Sequence, residues 1–275
     1  MNRVHLITVD YENHLRRHKE IDVMGDMIQP TYRLMKFFES FNIPITFFVN
    51  APEIQAFQRH NKRDYDRIHK QLQDITSRGH DIQMHWHPQW LEFQYVNGQW
   101  QNHSQFDSIK NHSYDFRQEA EAFKSGVAML RSYGQSVTAF RGGGYLIQPI
   151  ETNFHFLKSL GFTHDSSVYD WEQRVPISKQ IKKENDGNIP PALFDYHGLT
   201  EVPICTIGKL RWDMSNRVED ASSLQQMHTQ FSGLTNPHFV MMGHNKQTVH
   251  YSLLRTSLAR ACSDSANKWV KFSDL

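Results

Sequence analysis

Short apolar runs that stop at a chemically active residue recur along this chain. VHLITV (4–9) ends at Asp10 and Glu12. DIQM (81–84) leads into His85 and His87, VTAF (137–140) into Arg141, FTH (162–164) into Asp165, and PHFVMMG (237–243) into His244. Runs of this length and composition suit strands of a parallel sheet covered on both faces. In a parallel α/β barrel the C-terminal strand ends converge on one face, where active sites are built. Five polar clusters at the same end of successive strands therefore predict one composite site.

The segments between the runs have helical spacing. Met27–Phe41 repeats Ile28, Leu34, Phe37, Phe38 and Phe41; 64–78 places Ile68, Leu72 and Ile75 on one side; 115–133 carries Phe116, Ala120, Phe123, Val127 and Leu130. Helices are also expected over Ile150–Leu160, 219–232 and Ser252–Ala261. IPITFFV (43–49) and EVPICTIG (201–208) read as further strands, and KWVKF (268–272) as a terminal strand or strap. Residues 90–101 contain Asn97-Gly98 between aromatic and β-branched residues, a hairpin signal. Residues 172–200 are polar, contain Pro190-Pro191, and read as a long loop insertion. About seven strand–helix alternations without an interdomain linker predict a single domain, 1–275, whose parallel sheet is closed or nearly closed into a barrel.

The bulk properties exclude several function classes. The formal net charge is +1 and no long basic run is present, which argues against nucleic acid as the main partner. Cys205 and Cys262 form no CxxC pattern, so neither a thiolate metal site nor a redox motif is suggested. No stretch approaches the ~20 apolar residues of a transmembrane helix, and the opening MNRVHLITVD has no apolar signal region, so a cytoplasmic location is expected. Histidine occurs 17 times, which lowers the weight of any single one.

In an extended strand end, residues i and i+2 point the same way. Asp10 and Glu12 are so related; one carboxylate can bind a metal while the other handles a proton. His85 and His87 are related in the same way, with Pro88 after them, and two imidazoles with a carboxylate suit a divalent ion. Arg141, followed by three glycines, can orient a carboxylate and keep it ionised. Asp165 can orient a histidine, and Trp171 can form the wall of an acyl pocket. His244 has the titration range of a general acid near neutral pH. Trp86, Trp90, Tyr95 and Trp100 offer flat faces of the kind that pack on sugar rings.

The order and content of these clusters resemble the polysaccharide deacetylase family, the NodB-like carbohydrate esterases. ITVDYE is similar to the family's T-F-D-D-G motif, ITFFV to its second strand, and GHDIQMHWHP to its G-H-E-I-x-x-H-x-x-x-H-P. FRGGGY resembles the arginine motif, DSSVYDW the Asp-Trp motif, and Gly243-His244 the final histidine motif. The likeness runs from residue 4 to about 246. Two departures stand out: the adjacent aspartates become Asp10-x-Glu12, and the histidine spacing shortens to His85-x-His87, as in a variant branch of the family.

The resemblance implies a distorted (β/α)7 barrel holding one divalent metal, with Zn²⁺ the first choice. It implies Asp10 as catalytic base held by Arg141, Glu12, His85 and His87 as metal ligands, and His244 as general acid oriented by Asp165. Tyr145 would supply a backbone N–H to the oxyanion, and Trp171 and Trp90 would contact substrate. The implied reaction is removal of an N-acetyl group from an amino sugar or a surface-polysaccharide precursor. Two other readings stay open: hydrolysis of a small non-sugar amide, and an inactive barrel that binds a glycan.

Overall fold

The computed structural model describes residues 3–13, 21–102, 115–145, 147–169, 176–190, 192–207, 210–211, 214, 238–245, 249 and 251–275. The expected helix over 219–232 and Trp171 lie outside the described residues. In chain order the elements are β1 (Arg3–Tyr11), α1 (Gln29–Glu39), β2 (Ile45–Asn50), α2 (Ala51–His60), α3 (Lys62–Ser77), β3 (Asp81–Trp86), β4 (Phe93–Val96) and β5 (Gln99–Asn102). They continue with α4 (Ala120–Arg131), β6 (Ala139–Gly142), α5 (Ile150–Ser159), β7 (His164–Asp165), α6 (Pro176–Glu184), β8 (Phe194–Tyr196) and β9 (Leu199–Glu201). The last are β10 (Thr206–Ile207), β11 (Leu210–Arg211), β12 (His238–His244), α7 (Tyr251–Ser263) and β13 (Asn267–Val270).

The main sheet runs β12-β1-β2-β3-β6-β7-β9-β8, with β13 also on β1. All its ladders are parallel except β8–β9, which is a hairpin. β2 pairs with Ile7–Tyr11 and β13 with Arg3–Leu6, so the terminal strand fills the part of β1 that β2 leaves uncovered. Among the described residues the expected strand–helix alternation runs from β1 through α6 and resumes with β12 and α7, and no ladder joins β9 to β12, which leaves the barrel distorted. Irregular chain bridges them: Cys205 N–H donates to Val240 O (3.2 Å) and Met214 N–H to Met242 O (2.9 Å).

Burial follows the patterns that predicted the elements. β1, β2 and β3 are buried on both faces, as covered parallel strands must be. α1 turns Leu34, Met35, Phe37 and Phe38 inward, α3 turns Ile68, Leu72 and Ile75, and α4 turns Phe123, Val127 and Leu130. The Asn97-Gly98 turn joins β4 to β5 with both residues at positive φ, the geometry that matches hairpin twist. Where a loop was expected over 172–200, the described residues form α6 and the β8–β9 hairpin, which ends at Glu201. α2 has no counterpart among the expected helices; Pro52 sits in its first turn, where its missing N–H costs nothing.

The bottom of the barrel is closed by the C-terminal segment. Phe272 is buried, its N–H donates to Thr46 Oγ1 (3.0 Å), and Ser273 N–H donates to Asp81 Oδ2 (3.1 Å). Its ring meets Phe48 edge-on at 5.1 Å, and Phe48 carries the Arg141 guanidinium 4.1 Å above its own ring. Packing from the floor of the barrel thus reaches the base of the site.

Candidate metal centre

Strand register brings the clusters together. Asp10 lies beside His244 across β1–β12 and beside Phe48 across β1–β2. His85 lies between Asn50 on β2 and Arg141 on β6. Asp10, Glu12, His85, His87 and Arg141 are all buried.

Glu12, His85 and His87 offer ligand atoms that all lie within 4.8 Å of one another. Glu12 Oε2 is 2.9 Å from His87 Nε2 and 3.6 Å from His85 Nε2. The two rings meet edge-on with centroids 4.8 Å apart. His85 Nδ1 is 2.7 Å from the Arg141 carbonyl, to which it donates. Its Nε2 is buried and has no hydrogen-bond partner among the described residues. A histidine whose far nitrogen is held by a backbone carbonyl and whose near nitrogen faces a carboxylate has the usual arrangement of a metal ligand. Two imidazoles and one carboxylate match the donor set of catalytic zinc sites that keep a coordination position open. The residues present therefore fit a divalent ion. Burial pulls the His85 pKa down, but Asp10 and Glu12 outweigh it and hold the ring above its ordinary value. In such a site a divalent cation takes the place of a proton.

Asp10 is fixed from one side. Arg141 NH1 donates to Asp10 Oδ1 at 2.7 Å, and the other guanidinium nitrogens donate to the Ser166 carbonyl (3.1 Å), Thr8 Oγ1 (3.1 Å) and Ser166 Oγ (3.0 Å). Burial raises the Asp10 pKa, but Arg141, His85 and His244 together bring it below the ordinary carboxylate value. The Asp10 oxygen not bound to Arg141, Oδ2, lies 3.7 Å from His244 Nε2, which is also 3.7 Å from Glu12 Oε1. His244 keeps some solvent access, with 16% of its side chain exposed.

Three sequence expectations find a different placement. Asp165 was expected to orient His244, but none of its hydrogen bonds reaches that ring. Its carboxylate accepts from Ser167 N–H and Ser167 Oγ, each at 2.9 Å, and Ser167 Oγ accepts from Gly142 N–H at 2.9 Å. Its cross-strand neighbour is Glu201. Burial pushes both carboxyls up, and Glu201 is raised further because Asp165 lies against it. Trp90 was expected to face substrate; it is fully buried and stacks on Phe93 with centroids 4.4 Å apart, so it offers no open face. Trp86 likewise packs against Phe123. Tyr145 lies in the glycine turn beside the site, at φ 61, with its ring edge-on to Tyr169.

The structure adds polar residues that the sequence reading passed over. Glu12 N–H donates to Asn245 Oδ1 (3.1 Å), His87 N–H to Asn50 Oδ1 (3.1 Å), and Asn13 N–H to the Glu53 carboxylate (3.1 Å). Asn50 was findable: it ends the ITFFV run just as Asp10 ends VHLITV. Asn245 follows His244 directly. Glu53, on α2, carried no such signal.

No family model matches the sequence, and no curated protein matches it. Solved structures do match. A Mycobacterium smegmatis protein described as a polysaccharide deacetylase superposes with a TM-score of 0.62 at 16% identity, over 98% of this chain and 87% of that one. A Pseudomonas aeruginosa PAO1 protein with the same description gives 0.62 at 14% identity, over 99% and 89%. The Puue allantoinase gives 0.56 at 14% identity, again over 99% and 89%. The chain has the fold these proteins share, the NodB-type distorted barrel that the motif order implied.

Proposed function

We propose that this chain is a metal-dependent hydrolase that removes N-acetyl groups from an amino sugar or a surface-polysaccharide precursor. One observation carries the reading: a buried Glu12/His85/His87 cluster lies beside an arginine-held carboxylate, with a partly exposed histidine 3.7 Å from both Asp10 and Glu12. The fold of proteins described as polysaccharide deacetylases supports it.

Glu12, His85 and His87 would hold a divalent ion, with zinc our first choice, and the bound ion would supply Lewis acidity toward an acetamide carbonyl and toward water. Asp10 is the general base. Its Oδ1 is committed to Arg141, which leaves Oδ2 to accept the proton of the attacking water. The water oxygen bonds to the carbonyl carbon, and the resulting oxyanion needs a fixed donor, a role we assign to the Tyr145 backbone N–H. His244, from its position beside Asp10 Oδ2, gives a proton to the amide nitrogen as the C–N bond breaks. Acetate and a free amine leave. Asp165 supports this set indirectly: through Ser167 it holds Gly142, next to Arg141.

A second reading, hydrolysis of a small non-sugar amide, is favoured by the likeness to an allantoinase. The test is acetate release from N-acetylglucosamine oligomers beside ammonia or acid release from linear and cyclic amides, with zinc supplied. We expect acetate release that is lost in Asp10→Asn and His244→Ala. Turnover only on non-sugar amides would select the second reading. No turnover, with glycan binding indifferent to chelation, would leave an inactive glycan-binding barrel.

A further inference from the structure

We infer that Glu53 is a positioning residue for the metal centre: its buried carboxylate ties the chain after Glu12 to the chain before His87 and sets the distance between those two ligands. The inference rests on the reading above that Glu12, His85 and His87 hold a divalent ion.

Glu53 is 0% exposed. Amides from two strand ends donate to its carboxylate. Asn13 N–H donates to both oxygens (3.1 and 3.2 Å) and Asn13 Nδ2 to Oε1 (2.7 Å); Asn50 Nδ2 donates to Oε2 (3.1 Å). Asn13 is the residue after Glu12. Asn50 ends β2 and uses its other amide atom, Oδ1, to accept from His87 N–H. The path from one ligand to the other is thus Glu12, Asn13, Glu53, Asn50, His87, with a hydrogen bond at every step not made by the chain itself. On its far side Glu12 is held by Asn245, which accepts from its N–H. Glu12 therefore sits between two fixed points.

The chemistry requires a carboxylate at this position. An ionised carboxyl only accepts, whereas a glutamine presents one acceptor and one donor. The Asn13 and Asn50 amide groups that reach Glu53 donate to it, at both oxygens. Whichever way a glutamine turned, its NH₂ would face another N–H. The backbone N–H of Asn13 cannot turn, so the relief falls on the Asn13 or Asn50 side chains. If Asn50 flips, its Oδ1 leaves His87 N–H, and the ligand-bearing chain loses its anchor. Partners behind metal ligands of this kind typically change affinity by about 10–100-fold when removed.

The experiment uses the full-length protein with Co²⁺ as the probe. Binding is measured by titration calorimetry and by the visible d–d absorption of the bound ion, with thermal unfolding recorded in parallel. Wild type, Glu53→Gln and Asn50→Ala are compared. Asn50→Ala leaves the site's charge unchanged and breaks the link to His87. The expected result is Co²⁺ affinity about 10–100-fold weaker in both variants, with an altered absorption spectrum in the ion that does bind. Wild-type binding with unchanged affinity and spectrum in both variants, even with lowered melting temperatures, would make Glu53 merely structural and overturn the inference while the metal reading stood. Weakening by Glu53→Gln alone would assign the effect to charge and also overturn it. No Co²⁺ binding by wild type would overturn both this inference and the metal reading.

Discussion

Gly143 is the position where one added methyl group should disable the site. Its backbone does not adopt positive φ, so alanine is conformationally allowed there. The obstacle is space. A Cβ at 143 would lie 2.5 Å from the Trp86 carbonyl oxygen, 2.6 Å from His87 Nδ1 and 2.7 Å from His87 Cγ. Relaxed contacts of this type lie near 3.5 Å, so the β6 turn and the His87 ring must separate by about 0.9 Å. Metal–ligand distances tolerate only about 0.2 Å. Overpacking of a filled interior costs about 1–3 kcal/mol, and a displaced ligand should weaken metal binding by at least about 10-fold. Gly134→Ala is the comparison. Gly134 has φ +80 and open space around its missing Cβ, so alanine there costs roughly 1–2 kcal/mol of backbone strain and touches nothing in the site. Thermal unfolding and zinc titration calorimetry on both variants separate the cases. Gly134→Ala should lose stability and keep its zinc affinity; Gly143→Ala should lose both. A Gly143→Ala protein with wild-type melting and wild-type zinc affinity would refute the steric argument.

Two further predictions follow from buried charges. Arg141→Met strands Asp10 in the interior without its partner, which should cost about 3–5 kcal/mol in urea unfolding; adding Asp10→Asn should recover part of it, and strict additivity of the two changes would contradict the pairing. Asp81, at the barrel floor, is pushed up to about 6, first by burial, against the donors Gln83 and Ser273. A carboxyl raised in the folded state stabilises fully below its unfolded value of 3.8 and loses that contribution as pH rises through about 6. Stability of wild type relative to Asp81→Asn should therefore fall by up to about 3 kcal/mol between pH 4 and pH 8, and a pH-independent difference would rule this out.

What could be read from sequence divides along physical lines. Strand ends were legible because a covered parallel strand must be apolar until it emerges, so Asp10, His85, Arg141, Asp165 and His244 announced themselves. Helix faces of α1, α3 and α4 were legible from spacing. Residues 176–201 were not: α6 is rich in lysine and turns only a few apolar residues such as Ile177 and Ile181 inward, and its hairpin has three-residue strands. Periodicity needs a longer window than either provides. Trp90 was misplaced because an aromatic near a site reads alike whether its ring faces ligand or core. Its neighbours Phe57 and Trp100 decide the matter, and they come from α2 and β5. Asp165 was assigned to His244 because both stand at strand ends; the two-residue length of β7 and the Ser167 turn after it turn the carboxylate elsewhere.

The x in Asp10-x-Glu12 and His85-x-His87 explains why both motifs can be spaced by two. Side chains along an extended chain alternate sides. Asp10 and Glu12 face the site, so Tyr11 between them faces the helices, where its hydroxyl donates to Gln71 Oε1 on α3 at 2.8 Å. His85 and His87 face the site, so Trp86 faces outward and packs against Phe123 on α4, 4.6 Å between centroids. His87 keeps the extended backbone that this requires, at φ −114 and ψ 95. Each pair of functional residues is thus built around an aromatic anchor that pins its strand end to a covering helix. A pair of adjacent carboxylates would have to break the alternation to reach one ion and one water together. The spacing of two keeps it, with the anchor between, and the carboxylate at 12 still reaches both histidines.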